Sequence, residues 1–270
     1  MKECRKIYKY NLRKKILGRE MHNIFKSTIG ILGGMGPETT VDFFSRIIKI
    51  CEKDYSCKKD EDFPKIVIVS VPIPPVVEKI EREKELLSIS KEGIKNLVAA
   101  NVDFIAIPCN TIHLYFEKLK KFSKVPLLNI VEEVSKKARE EGFRKVGIMA
   151  TKTTIKSGLY ASYLKKFGIQ TIVPNEDEID EIAKIIHDVE KGDILDKDKN
   201  KLKEIASKLE ERGAEAVILG CTELPIVLKQ EECKTKLLDS TQILAEATVK
   251  KALQYPPVLA FSIYKKRKIK

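Results

Sequence analysis

Short apolar, β-branched runs alternate with helical periodicity along almost the whole chain, and this alternation restricts its fold more than any other feature. Strands are predicted near residues 28–32, 65–70, 103–107, 126–129, 145–149, 169–173, 215–219 and 235–238. Helices are predicted near 38–52, 83–100, 112–121, 131–141, 154–166, 178–190, 199–212 and 240–253. A chain that returns a strand after every helix with short connections builds parallel sheets covered by helices.

The alternation also occurs twice. Ile29-Gly30-Ile31 corresponds to Val146-Gly147-Ile148, and Asp103–Ile107 before Cys109 corresponds to Glu215–Leu219 before Cys221. Leu127-Leu128-Asn129 corresponds to Leu237-Leu238-Asp239, each followed by a helix containing Lys-Lys-Ala. Gly30 precedes Cys109 by 79 residues and Gly147 precedes Cys221 by 74. The expected fold class is α/β, with two pseudo-symmetric domains, each a mostly parallel sheet flanked by helices, and the active site in the cleft between them. The boundaries read as an N-terminal domain over 24–130, a C-terminal domain over 131–239, and a helix at 240–254 that packs back on the first. Residues 1–23 and 255–270 read as basic tails.

Charge supports this division. The net +12 resembles a nucleic-acid signal, but residues 1–23 hold eight basic against two acidic residues and residues 265–270 hold five basic ones. The body between them carries only +1, so the basicity belongs to the ends and nucleic acid is not an expected partner. The first twenty residues contain no apolar stretch of secretory length, and no run of about 18 apolar residues occurs, so neither export nor a membrane span is expected. The reading is a cytoplasmic protein. Its six cysteines contain no Cys-x-x-Cys, so neither a disulfide framework nor a metal site is expected; Cys51 and Cys57 bracket a charged loop without histidines.

Cys109 and Cys221, 112 residues apart, each sit where a buried strand ends and a helix begins. Ligands of open α/β sheets bind at that edge, and a helix N-terminus is expected to lower a thiol pKa there. A single cysteine at such a place is ordinarily a small core residue. Two at matching positions, facing one cleft, point to a pair acting on one substrate. A cysteine phosphatase is excluded, because the positions six residues on are Tyr115 and Val227 instead of arginine. A thiol hydrolase requires an imidazole base, and His113 is the sole contender beside His22 and His187. The loop Gly33-Gly34-Met35-Gly36-Pro37 follows a strand and opens a helix, so its amides can hold an anion; it lacks the Gly-x-Gly-x-x-Gly spacing of a dinucleotide site.

Three segments together, Gly30-Ile31-Leu32-Gly33-Gly34-Met35-Gly36-Pro37-Glu38-Thr39, Pro108-Cys109-Asn110-Thr111-Ile112-His113 and Gly220-Cys221-Thr222-Glu223, resemble the aspartate/glutamate racemase family, and within it the aspartate racemases. The similarity runs from about Ile29 to Leu253. It implies racemisation of aspartate or glutamate without pyridoxal phosphate or any other cofactor, in a homodimer. It implies that Cys109 and Cys221 are the catalytic acid–base pair, one thiolate taking the Cα proton while the other thiol delivers one to the opposite face. It further implies that Met35, Gly36, Asn110, Thr111, Thr151, Thr222, Glu223 and Lys191 surround the substrate. Residues 1–20 precede the similarity and are expected to be dispensable.

One departure bears on the substrate. Aspartate racemases carry a Pro-Asp-Arg turn after the second strand, whereas this chain reads Pro72-Ile73-Pro74-Pro75-Val76-Val77, with Val77 in the place of the arginine. Lys79, Arg82 or Lys191 would have to substitute, and Lys191 maps uncertainly because the segment 186–192 is one residue short. Two other readings stay open: a related-fold isomerase or racemase of another small carboxylic substrate, and a non-catalytic small-acid binding protein.

Overall fold

The computed structural model describes residues 24–193 and 195–253, and both basic tails lie outside them. Strands β1 (Ile29–Gly33), β2 (Ile66–Ser70) and β3 (Phe104–Ala106) form one parallel sheet in the order β2-β1-β3. Strands β4 (Lys145–Ala150), β5 (Gln170–Ile172), β6 (Ala216–Gly220) and β7 (Leu237–Asp239) form a second, in the order β5-β4-β6-β7. The order places β1 and β4 in equivalent positions, with Ile29 opposite Phe104 in one sheet and Val146 opposite Ala216 in the other. The α/β class and the doubled parallel architecture are therefore as the alternation requires. β1, β3 and β6 are buried at every residue, as strands covered on both faces must be, while β2 is a half-exposed edge.

Helices α1 (Pro37–Tyr55), α2 (Glu83–Ala99), α3 (Phe116–Phe122), α4 (Ile130–Glu140), α5 (Lys152–Lys156) and α6 (Leu159–Lys166) come in chain order. They are followed by α7 (Glu176–Glu190), α8 (Asp196–Glu211), α9 (Leu224–Val227) and α10 (Ser240–Ala252). The repeated Leu-Leu-Asn/Asp segment has a local explanation. Asn129 caps α4 by accepting from the Val131 and Glu132 amides, and Asp239 caps α10 by accepting from the Gln242 amide. α10 packs against both α1 and α4. The Arg46 guanidinium of α1 binds Asp239 at 2.6 Å, tying the first unit to the end of the second sheet. One apolar core runs through both units, from Ile31 and Phe43 to Ile218 and Leu244.

Three expected elements differ. Residues 126–129 make one parallel bridge, Ile105 to Leu127, instead of a strand. Pro126 has no N–H to extend the ladder backward, and α4 begins at Ile130. The helix expected over 154–166 is two helices, broken where Gly158 takes φ 66°. The helix after Cys109 opens as a 3-10 turn over Thr111–Tyr115 before α3. No helix among the described residues is long and apolar enough to cross a membrane.

Candidate active site

The C-terminal ends of β1, β3, β4 and β6 converge on one cleft of about 470 Å³, where the sheet topology places ligands in open α/β folds. Cys109 follows β3 and Cys221 follows β6; both line the cleft and both are buried. Met35, Gly36, Asn110, Thr111, Thr151, Thr222 and Glu223 line it too. Lys191 does not. It stands exposed beyond the C-terminus of α7 and borders a separate surface depression with Lys152, Asp180 and His187.

The thiols are not acidified as their position at helix starts led one to expect. Burial pushes the Cys109 thiol up to about 12, against a smaller downward pull from the Ile112 and Thr111 amides and a further push from the Glu223 carboxylate. Burial also pushes the Cys221 thiol well above its ordinary range, reinforced by Glu223 and by Cys109. The cause is simple: the short 3-10 turn after Cys109 and the four-residue helix after Cys221 offer weaker dipoles than a long helix, and desolvation of a charged sulfur exceeds them. Burial thus favours the thiol form of both residues.

Glu223 touches Cys221 and acts on Cys109 through its charge. Cys221 Sγ donates to Glu223 Oε2 at 2.8 Å, and Thr222 Oγ1 donates to the same oxygen at 3.1 Å. Glu223 is only 5% exposed, and burial raises its own pKa above its ordinary value. A buried carboxyl beside a buried thiol forms a pair able to pass one proton between them.

Hydroxyls and amides complete the setting. Thr111 Oγ1 lies 3.0 Å from both Thr151 Oγ1 and Thr154 Oγ1, so the loops after β3 and β4 meet in a three-hydroxyl cluster. Asn110 accepts from the Tyr160 hydroxyl at 2.6 Å and donates to Ser240 Oγ at 3.1 Å, and Ser240 donates on to the Leu219 carbonyl. Its side chain therefore clamps the Cys109 loop to the strand that carries Cys221. Gly36, the residue before α1, receives no side-chain cap, leaving the first-turn amides of a 19-residue helix at the edge of the cleft.

His113 is not a base. The Ile130 amide donates to Nε2 at 3.3 Å, which places the ring proton on Nδ1, where it donates to the Cys109 carbonyl at 2.7 Å. Burial lowers its pKa to about 4, so the ring stays neutral and orders the backbone beneath Cys109. Cys51 and Cys57 are buried thiols raised to about 12 and about 11 by burial, as core residues are. Among the described residues no group of three or more His, Cys, Asp and Glu could hold a metal ion.

Val77, in the arginine's expected place, is 4% exposed and lines the cleft. The proposed substitutes turn elsewhere. Lys79 pairs with Glu81 at 3.9 Å and Arg82 pairs with Glu85, both with side chains more than half exposed. The residues that sequence reasoning missed are Glu190, Val189 and Ile226, which line the cleft, and Tyr160 and Thr154, which support it. Thr154 closes the hydroxyl-rich stretch Thr151-Lys152-Thr153-Thr154; the others carry no motif.

Residues 32–248 match the Asp/Glu/Hydantoin racemase family. The chain is 31% identical to the broad specificity amino-acid racemase RacX of Bacillus subtilis over 227 residues, covering 84% of this chain and 99% of that protein. It superimposes on the crystal structure of an aspartate racemase homologue from Pyrococcus horikoshii with a TM-score of 0.72 at 30% identity, covering 85% of this chain and all of that one. Picrophilus torridus aspartate racemase gives 0.73 at 28% identity, covering 84% and 94%. With the doubled sheet, the paired strand-end thiols and this match over most of its length, the chain belongs to the Asp/Glu/hydantoin racemase family.

Proposed function

We propose that the protein is a cofactor-independent amino-acid racemase in which Cys109 and Cys221 exchange protons with Cα from opposite faces. The observation that carries this reading is the placement of two buried thiols at equivalent strand ends on one cleft, one of them hydrogen-bonded to a buried carboxylate. Glu223 takes the Cys221 proton and passes it on to solvent, leaving a thiolate beside a restored carboxylate. The thiolate removes the Cα proton, and the Cys109 thiol delivers its proton to the other face. The products are a Cys221 thiol, a Cys109 thiolate and the opposite enantiomer; the reverse passage restores the start. The uncapped first turn of α1 and the hydroxyls at the strand ends are suited to the α-carboxylate, on which negative charge grows as the Cα proton leaves.

Incubation with single enantiomers in deuterium oxide, without added cofactor, tests this. Deuterium should enter Cα and the other enantiomer should accumulate. Absence of both across acidic, neutral and basic amino acids would overturn the reading.

The raised thiol pKa values set the pH dependence. A group that must be deprotonated to act, and titrates above the working range, gains active form tenfold per pH unit. The kcat/KM value should therefore rise about tenfold per unit from pH 7 to 9, without a plateau. An acidic optimum would contradict resting thiols.

Glu223→Gln provides a sign test. The Glu223 charge and hydrogen bond both raise the Cys221 pKa, so removing the charge should lower it and move the rising limb toward acid. The maximal kcat should fall at least about tenfold, because the proton acceptor is gone. A purely structural role for Glu223 would lower activity without moving the limb.

A further inference from the structure

The cleft is charged on one side only. Glu38, Glu190 and Glu223 line it, and among the described residues no lysine or arginine does. The rest of the wall is largely apolar, and Val77, Val189 and Ile226 belong to it. A dicarboxylic substrate would set its distal carboxylate against that wall and near Glu190, a desolvated and like-charged position.

Glu190 is the last residue of α7. Its Oε2 is held by His187 Nδ1 at 3.0 Å, and its Oε1 has no partner among the described residues. Its charge is close enough to raise the pKa of both Cys109 and Glu223, so it belongs to the same electrostatic site. A second observation points independently to a positively charged ligand. Glu223 is almost fully buried, yet its Oε1 accepts no hydrogen bond from another side chain among the described residues and faces the Gly36 edge of the cleft. One buried carboxylate oxygen beside the thiols suits an α-ammonium, and a second carboxylate beyond an apolar wall suits a second positive charge.

We propose that the preferred substrate is an amino acid whose side chain is an aliphatic stem ending in a cation, as in lysine, ornithine or arginine. The stem lies on Val77, Val189 and Ile226, and the charge meets Glu190. This inference rests on the racemase reading above and names its substrate class.

The test compares Cα deuterium incorporation from L-lysine, L-norleucine, L-glutamate and L-aspartate, norleucine being an uncharged analogue of the lysine stem. Glu190 is two-fifths exposed, so its pairing is screened by water. Lysine should exceed norleucine in kcat/KM by roughly five- to tenfold, mostly through KM, and glutamate by about a hundredfold. Glu190→Gln should bring the lysine-to-norleucine ratio close to unity, as should molar salt in the parent. Glu190→Lys should raise glutamate relative to lysine. Parental preference for glutamate or aspartate, or an unaltered lysine-to-norleucine ratio in Glu190→Gln, would overturn the substrate class alone. Exchange on none of the four would overturn the racemase reading and this inference with it.

Discussion

Cys109→Ala and Cys221→Ala are each expected to lower racemisation at least about a thousandfold, whichever amino acid is used. The reason is geometric. Inverting a stereocentre requires a proton to leave one face and another to arrive at the opposite one, and the proposed mechanism assigns one face to each thiol. Without Cys221 the enantiomer whose proton faces Cys109 can still be deprotonated and reprotonated from the same side. Each variant should therefore retain some exchange of Cα with deuterium for one enantiomer, the two variants showing opposite preferences. The loss should not come from unfolding. A buried cysteine is a small side chain, and trimming its sulfur costs about 1 kcal/mol, a shift of a few degrees in Tm for a chain this size. Chiral chromatography, proton NMR in deuterium oxide and thermal melting together separate the outcomes. Parental racemisation in either variant would end the two-thiol reading.

Much of this was legible before any coordinates. The doubled alternation specified two parallel sheets because a strand–helix–strand crossover has few other solutions. The cysteines were visible as a pair because their surroundings repeat, and even the small Asn129/Asp239 correspondence carried meaning, each residue capping the next helix. What was hidden depends on quantities a sequence does not state. The local rule that a helix start acidifies a thiol was outweighed by burial, which is set by all the elements packed around Cys109 and Cys221. The helix over 154–166 broke because Gly158 adopts a left-handed conformation that periodicity does not reveal.

The exchange of Lys191 for Glu190 is the most instructive case. Successive residues on a helix point about 100° apart, so an alignment uncertain by one residue at the end of α7 changes which side chain lines the cleft. Here that single step reverses the sign of the charge lining the cleft. Val77, in the place where the family resemblance implies an arginine, and Glu190 both line the cleft. On the proposed reading, a few side chains at loop and helix ends decide the substrate, while the sheets fix where the thiols stand.

Gly34→Ala should cost about 4 kcal/mol of stability, roughly 10 °C in Tm or more, and should abolish activity in whatever remains folded. Gly34 has φ 92°, in the left-handed region, where any side chain is strained. An added Cβ would also stand 2.5 Å from Val71 N and closer still to Val71 O, main-chain atoms that cannot rotate away. Gly142→Ala isolates the first contribution. Its φ is nearly the same at 85°, yet nothing lies within 4 Å of the added Cβ. That substitution should cost only about 1 kcal/mol, the left-handed strain less the entropy removed from the unfolded chain. The difference between the two variants measures the close approach of the Gly34 loop to Val71. That contact holds Met35 and Gly36 at the edge of the cleft, opposite Glu223, and leads into α1. Melting curves for both proteins, with deuterium exchange on the folded fraction, decide the matter. Equal losses of stability in the two would show that strain alone accounts for the glycine, and that the loop has room to move away from Val71.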